Sequence, residues 1–225
     1  MSTSTSTSRL HGRYGLRSSG MAMTPQQFDE TPAWAWDDRY RYELINGVLI
    51  VTPPVSDAEA GPNDELGHML RTYKESHPQG RSLDSTMPER TVPGTPNRRR
   101  CDRAIWTGLG RIPDSKTDVP SIVVEFVSSQ RRDALRDYEL KRDEYMAARV
   151  CEYWIIDRFQ RIMTVYRNEP TGVVSLIIKE TETYRTTLLP GFELPLSRLL
   201  AAADELSSPR KKSRKPNPPA GGTDG

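Results

Sequence analysis

The segment 121-SIVVEFVSSQRRDALRDYELKRDEYMAARVCEYWIID-157 decides the fold. It opens on an apolar run, Ile122 to Val127, broken by one carboxylate, Glu125. It continues through a charged stretch in which Asp137 and Lys141 stand four residues apart, and closes on a second apolar run, Tyr153 to Ile156. The order is strand, helix, strand. A strand covered on both faces reads as a nearly unbroken apolar run, so a carboxylate inside one is costly unless something compensates its charge. A divalent cation or a lysine would each serve.

Downstream, four short β-like runs follow: Glu152 to Ile156, Arg161 to Tyr166, Val173 to Lys179 and Tyr184 to Leu188. Tight connections at Phe159-Gln160 and at 168–172 make them a meander. Pro190-Gly191 marks a turn, and Leu196 to Ala203 reads as a short final helix. Upstream, Tyr42 to Ile45 and Val48 to Val51 flank Asn46-Gly47. Both central positions of a two-residue hairpin turn take positive φ, which Asn-Gly tolerates. Pro25 to Glu30 reads as a short helix with Thr24 as its cap. Asp57 to His77 reads as a longer one, with Leu66, Met69, Leu70 and Tyr73 on one face. Ser82 to Arg90 and Arg98 to Trp106 are strand candidates. Helices alternate with strands in one part and strands run together in another. The class is therefore α/β, with a mixed sheet, an N-terminal hairpin, flanking helices and a C-terminal antiparallel meander.

The ends differ from the middle. Residues 1–22 are Ser/Thr-rich, carry arginines and no acid, and read as disordered, with Met21 or Met23 as an alternative start. Residues 206–225 form a Pro-rich basic tail, also read as disordered, suited to solubility or to non-specific phosphate contact. The ordered domain is expected over 23–205. The net charge of +2 belongs to the ends, because the stretch between them is net acidic; nucleic-acid binding must rest on local clusters. Hydrophobic residues make up 35% of the chain and mean hydropathy is -0.67. No apolar run approaches the ~20 residues that span a bilayer, so no membrane partner is expected. Cys101 and Cys151 lack metal-ligand spacing and read as reduced thiols of a cytoplasmic protein. His11, His68 and His77 show no metal-ligand spacing either, and neither a P-loop nor a nucleophile elbow is present.

Four polar residues are candidates for chemistry: Glu43 in the hairpin, Asp102 in a strand among arginines, Glu125, and Lys141. Mg²⁺ favours one or two carboxylates plus water and substrate phosphate, and Asp102 and Glu125 on neighbouring strands would supply that pair. A lysine nearby would offset phosphate charge or position a water. Each has a plainer reading. Asp102 could pair with Arg100 or Arg103 at the surface, Lys141 with Asp137 along the helix, and Glu43 could be a solvent-facing strand residue. Tyr145 and Trp154 read as core. Arg131 and Arg132 follow the central strand, where an α/β sheet meets its ligand; they are phosphate contacts or part of a solvated loop.

The pattern YELINGVLI, CDRAIW, VVEFVS, DYELKRDEYMAARVCEYWIID and LPGFEL resembles the Uma-type restriction endonucleases, a bacterial family of the PD-(D/E)XK nuclease superfamily. The resemblance covers roughly residues 24–205. It implies a restriction-endonuclease-like core and a Mg²⁺-dependent (Mn²⁺ possible) endonuclease acting on DNA, with dimerisation common among such nucleases. Asp102 and Glu125 match the two metal-binding acids. The superfamily lysine would fall at Val127, so the resemblance implies that Lys141 supplies it from the helix, and Glu43 matches the acid of the first hairpin. The chain departs from the family pattern in having Cys101 before the aspartate, Ser128-Ser129 after the central strand, and Asn63 where a histidine usually opens the long helix. A module that keeps the fold and binds DNA or protein without catalysis is the alternative.

Overall fold

The computed structural model describes residues 13–54, 56–128 and 134–207. In chain order its elements are helix α1 (Pro25–Glu30), strands β1 (Arg41–Ile45) and β2 (Val48–Thr52), helix α2 (Asp57–Ser76), strands β3 (Leu83–Thr91), β4 (Arg100–Thr107) and β5 (Ile122–Phe126), helix α3 (Ala134–Ala147), strands β6 (Glu152–Asp157), β7 (Ile162–Glu169), β8 (Gly172–Lys179), β9 (Thr183–Tyr184) and β10 (Leu194–Pro195), and helix α4 (Leu196–Ser207). The central sheet has six strands in the order β3-β4-β5-β6-β7-β8. Only β5 and β6 run parallel; the other neighbours are antiparallel. A parallel pair needs a crossover connection, and α3 supplies it. The class is the mixed α/β one read from the sequence.

Every residue of β5 is buried. Ile122, Val124 and Phe126 face the layer formed by α2 and α4, with Leu66, Leu70, Leu199 and Leu200. Val123 faces the opposite layer, with Tyr145 and Met146 of α3. Each buried aliphatic or aromatic side chain contributes about 1.5–3 kcal/mol, enough for this strand to tolerate one compensated charge. Gly67 sits where α2 crosses β4, and a Cβ there would lie 2.6 Å from the Arg103 guanidinium. The glycine permits that close approach.

The hairpin forms as expected, with Asn46 at φ 50° and Gly47 at φ 76°. It is a separate two-stranded sheet with its own apolar cluster of Met23, Tyr42, Leu44, Leu49 and Val51. A bridge between Leu44 and Arg98 ties it to the entrance of β4.

Two expectations are corrected. The composition of 1–22 predicts disorder, yet residues 13–22 are packed: Met21 and Gly20 exchange backbone hydrogen bonds with Leu49, Tyr14 joins an aromatic group with Trp36, and Tyr42 Oη donates to the Tyr14 carbonyl at 2.6 Å. One aromatic contact and strand-like backbone pairing to β2 anchor a segment whose composition reads as unstructured. The fourth meander run, Tyr184 to Leu188, leaves the central sheet; only Thr183–Tyr184 pair, and they do so with β10. Tyr184 is drawn instead to the buried carboxylate of Glu152, at 2.9 Å. Residues 1–12 and the basic tail beyond 207 lie outside the described residues.

Candidate active site

The β4–β5 register pairs Arg103 with Val124 and Ala104 with Val123. Continued by one residue, it sets Asp102 opposite Glu125, on the face that carries α3. Residues directly opposite in an antiparallel pair share a face, so two carboxylates meet here. Asp102 accepts from Arg41 Nη2 through Oδ1 and from the Phe126 N–H through Oδ2, both at 2.8 Å. Glu125 Oε1 lies 3.1 Å from Lys141 Nζ and accepts from Tyr145 Oη at 3.3 Å. Lys141 and Tyr145 are one helical turn apart and therefore neighbours on α3. Lys141 Nζ also lies 3.8 Å from Glu43 Oε1, which accepts the Arg100 N–H at 2.8 Å.

All four candidate residues, Glu43, Asp102, Glu125 and Lys141, thus come together, and Asp102, Glu125 and Lys141 are buried. The surface pairing of Asp102 with Arg100 or Arg103 is not what forms. Arg100 bonds Glu89 at 2.7 Å, and Arg103 turns to the opposite face, where it donates to Asn63 Oδ1 at 2.7 Å. Asn63 also donates to the Asp102 carbonyl at 2.9 Å, which ties α2 to the strand that carries the acid. Val127 is buried, and its N–H bonds the Ile156 carbonyl. Arg131 and Arg132 lie outside the described residues.

Two participants escape a reading of the sequence. Arg41 shares the hairpin face of Glu43, two residues on, and that alternation is the available signal. Glu89 lies between Arg41 (3.7 Å) and Arg100 (2.7 Å) and takes a left-handed φ of 51° near the C-terminal end of β3. Backbone irregularities of this kind re-aim side chains near functional sites.

Burial pushes the Glu125 carboxyl up to about 8, and the nearby charges of Asp102 and Glu43 push the same way, against the pull of Lys141 and Arg41. Burial likewise lifts the Tyr145 phenol well above its ordinary range, so it stays a donor. The cluster is rich in hard oxygen atoms and brings three carboxylates together, which suits a divalent cation. An ionised carboxylate offers about four lone-pair sites, so Asp102 keeps capacity beside its two contacts. Among the described residues, no group of three or more His, Cys, Asp or Glu is placed to cage a metal; the fit is to an ion held by two carboxylates that keeps part of its water shell.

A family model described as "Putative restriction endonuclease", Uma2, matches residues 25–197. The chain belongs to the Uma2 family. Among solved structures, a "putative nuclease belonging to DUF820" from Anabaena variabilis superposes with a TM-score of 0.62 at 13% identity, covering 80% of this chain and 99% of that one. At that identity the likeness is one of fold. No curated protein matches. Among the described residues, no helix is long and apolar enough to cross a membrane. The match to the Uma2 family begins within α1 and ends within α4, so it contains every residue of the cluster.

Proposed function

We propose that this Uma2-family protein is a Mg²⁺-dependent endonuclease that hydrolyses DNA phosphodiester bonds. The observation that carries this reading is the convergence of Asp102, Glu125 and Glu43 with the Lys141 ammonium, 3.1 Å from Glu125. Asp102 and Glu125 would hold the ion, with Mn²⁺ as a substitute. When bound, the ion supplies Lewis-acid polarisation of a phosphoryl oxygen and a water more acidic than bulk water. Lys141 orients the attacking water and offsets charge at the phosphorus. Glu43 holds Lys141 toward the site from the hairpin side and accepts the Arg100 N–H. Arg41 and the Phe126 N–H fix the Asp102 carboxylate, and Tyr145 fixes that of Glu125. The arrangement would serve RNA or another phosphodiester equally well; the family supports DNA.

Supercoiled-plasmid nicking with Mn²⁺ tests this, wild type beside Asp102→Ala and Glu125→Gln. Nicking by the wild type alone is the expected result, and cleavage by Glu125→Gln at the wild-type rate would falsify the assignment. One observation favours the alternative of a non-catalytic DNA- or protein-binding module: Arg41 and Lys141 already compensate Asp102 and Glu125. Calorimetric titration with Mn²⁺ separates the two, since the module would show no heat that depends on these carboxylates.

A further inference from the structure

Among the described residues, strand β8 ends the central sheet and pairs with β7 alone, its outer edge being met only at its last residue, Lys179, whose backbone bonds Glu182. Exposed edges are normally blunted by charge, proline, a bulge or short length, because their free N–H and C=O groups recruit another strand. From Gly172 to Ile178, β8 has no charge, no proline and an unbroken register with β7. It is also apolar on both faces: Ile177 is 63% exposed and Val173 47%, while Val174 and Leu176 are each 36% exposed.

We propose that β8 pairs antiparallel with β8 of a second copy of this chain, joining two central sheets into one. This does not depend on the catalytic reading. A two-fold axis perpendicular to the sheet keeps each face on its own side, so residues that meet across it must share a face. Centring the axis on Ser175 satisfies this. Val173 then meets Ile177 of the other copy, and Val174 meets Leu176, so all four exposed apolar side chains find apolar partners. The charges agree with this register. The Lys179 ammonium has no ion-pair partner among the described residues. In the paired arrangement it lies opposite Thr171 of the second copy, one strand away from Glu169 at the end of β7. Like charges do not face each other at any position of the strand.

Sedimentation equilibrium of the full chain tests the pairing. The wild type should sediment at twice the chain mass, and Ile177→Lys at the chain mass with an unchanged circular dichroism spectrum. A wild type that stays monomeric at all concentrations overturns the proposal, as does an Ile177→Lys variant that still dimerises. Cross-linking provides a second readout, in a Cys151→Ser background. Two-fold pairing puts residue 175 opposite itself at a Cα separation of about 4.5–5.5 Å, which a disulfide bridges. Ser175→Cys should therefore oxidise to a covalent dimer, whereas Val173→Cys, displaced from its own copy along the strand, should not. Failure of the first to cross-link, or equal cross-linking of both, overturns the register and with it the proposal. A monomer whose β8 amides resist hydrogen exchange would show that another part of the same chain covers the edge, which overturns it too.

Discussion

The ammonium of Lys141 on α3 stands 3.1 Å from Glu125 Oε1 on β5 and 3.8 Å from Glu43 Oε1 on the hairpin. One cation therefore serves carboxylates from two separate sheets. Replacing it with methionine keeps the side-chain volume and removes the charge. Glu125 can respond by holding a proton, because its carboxyl already sits at about 8. The loss of stability in Lys141→Met should thus be small near pH 6 and grow toward about 3–5 kcal/mol above pH 9, where a buried carboxylate stands without its partner. Urea unfolding at the two pH values measures this. Nicking should fall by at least about 100-fold at either pH, the scale of a lost proton-transfer or water-orienting group. A variant that cleaves normally would remove Lys141 from the chemistry.

Glu125→Gln gives a second test, in metal-free protein. The folded carboxyl is raised to about 8 from an ordinary value of 4.5. Between those values the folded state binds more protons than the unfolded one, so stability falls as pH rises. The contribution is fully present below about pH 4.5 and is lost as pH passes through 8. Glutamine does not titrate. From pH 5 to pH 9 the variant should therefore gain on the wild type by a few kcal/mol, because each tenfold difference in proton affinity between the folded and unfolded carboxyl is worth about 1.4 kcal/mol. Chemical denaturation across that range decides it; a wild type that gains on the variant would mean that Glu125 is ionised in the folded protein. Added Mg²⁺ should stabilise the wild type and leave Glu125→Gln unmoved, since only a ligand held by the folded state raises stability.

Arg41 supplies the third prediction. Its guanidinium donates to Asp102 at 2.8 Å, and Asp102 and Glu89 hold its charge against the penalty of burial. Arg41→Ala should cost about 1.5–3 kcal/mol, the usual range for a hydrogen bond to a charged group. The same change removes a positive charge beside the carboxylates. At an effective dielectric of ~20 a unit charge some ~6 Å away is worth about 3 kcal/mol, so Mn²⁺ should bind at least about tenfold more tightly. Lower thermal stability together with higher metal affinity, by calorimetry, is the expected pair of results. An unchanged affinity would place the cation away from Asp102.

The elements that a reader of the sequence could place are those with local causes. Asn46-Gly47 demands its turn through the φ values of two adjacent residues, Thr24 caps α1 through its own side chain, and β5 announces itself because a carboxylate in five buried positions is expensive. Glu125 is legible as a candidate for the same reason; Glu43, Asp102 and Lys141 stand out as polar groups able to serve a metal or a phosphate, helped by family resemblance. The contact between Arg41 and Asp102 spans 61 positions and exists only once the hairpin docks on β4. Glu89 was hidden further, because its left-handed backbone is unusual for a glutamate and no residue type nearby signals it. Arg103, adjacent to Asp102, faces the other side of the sheet and turns to Asn63, whereas Arg100, two residues away on the same face, is taken by Glu89; proximity in sequence does not reveal which partner wins.

The N-terminal segment leads to the last prediction. Tyr14 stacks obliquely on Trp36 with ring centroids 5.0 Å apart, and its carbonyl accepts from Tyr42 Oη. Gly20 and Met21 exchange backbone hydrogen bonds with Leu49, which cover one edge of β2. A chain started at Met23 loses all of these and exposes Tyr42, whose Oη would keep its contacts to Asp37. Losing Tyr14 packing and six hydrogen bonds to the rest of the chain, offset by the backbone freedom released, should cost about 2–4 kcal/mol. At roughly 2–4 °C per kcal/mol for a domain of this size, that is a fall in Tm of about 4–16 °C. Tyr14→Ala should reproduce the part of the fall that belongs to the packing on Trp36, because the backbone hydrogen bonds of the segment remain. Because β1 carries Arg41 and Glu43, a loosened hairpin should also weaken nicking in both variants. A Met23-started chain that melts with the full-length protein would show that residues 13–22 contribute nothing to holding the hairpin over the site.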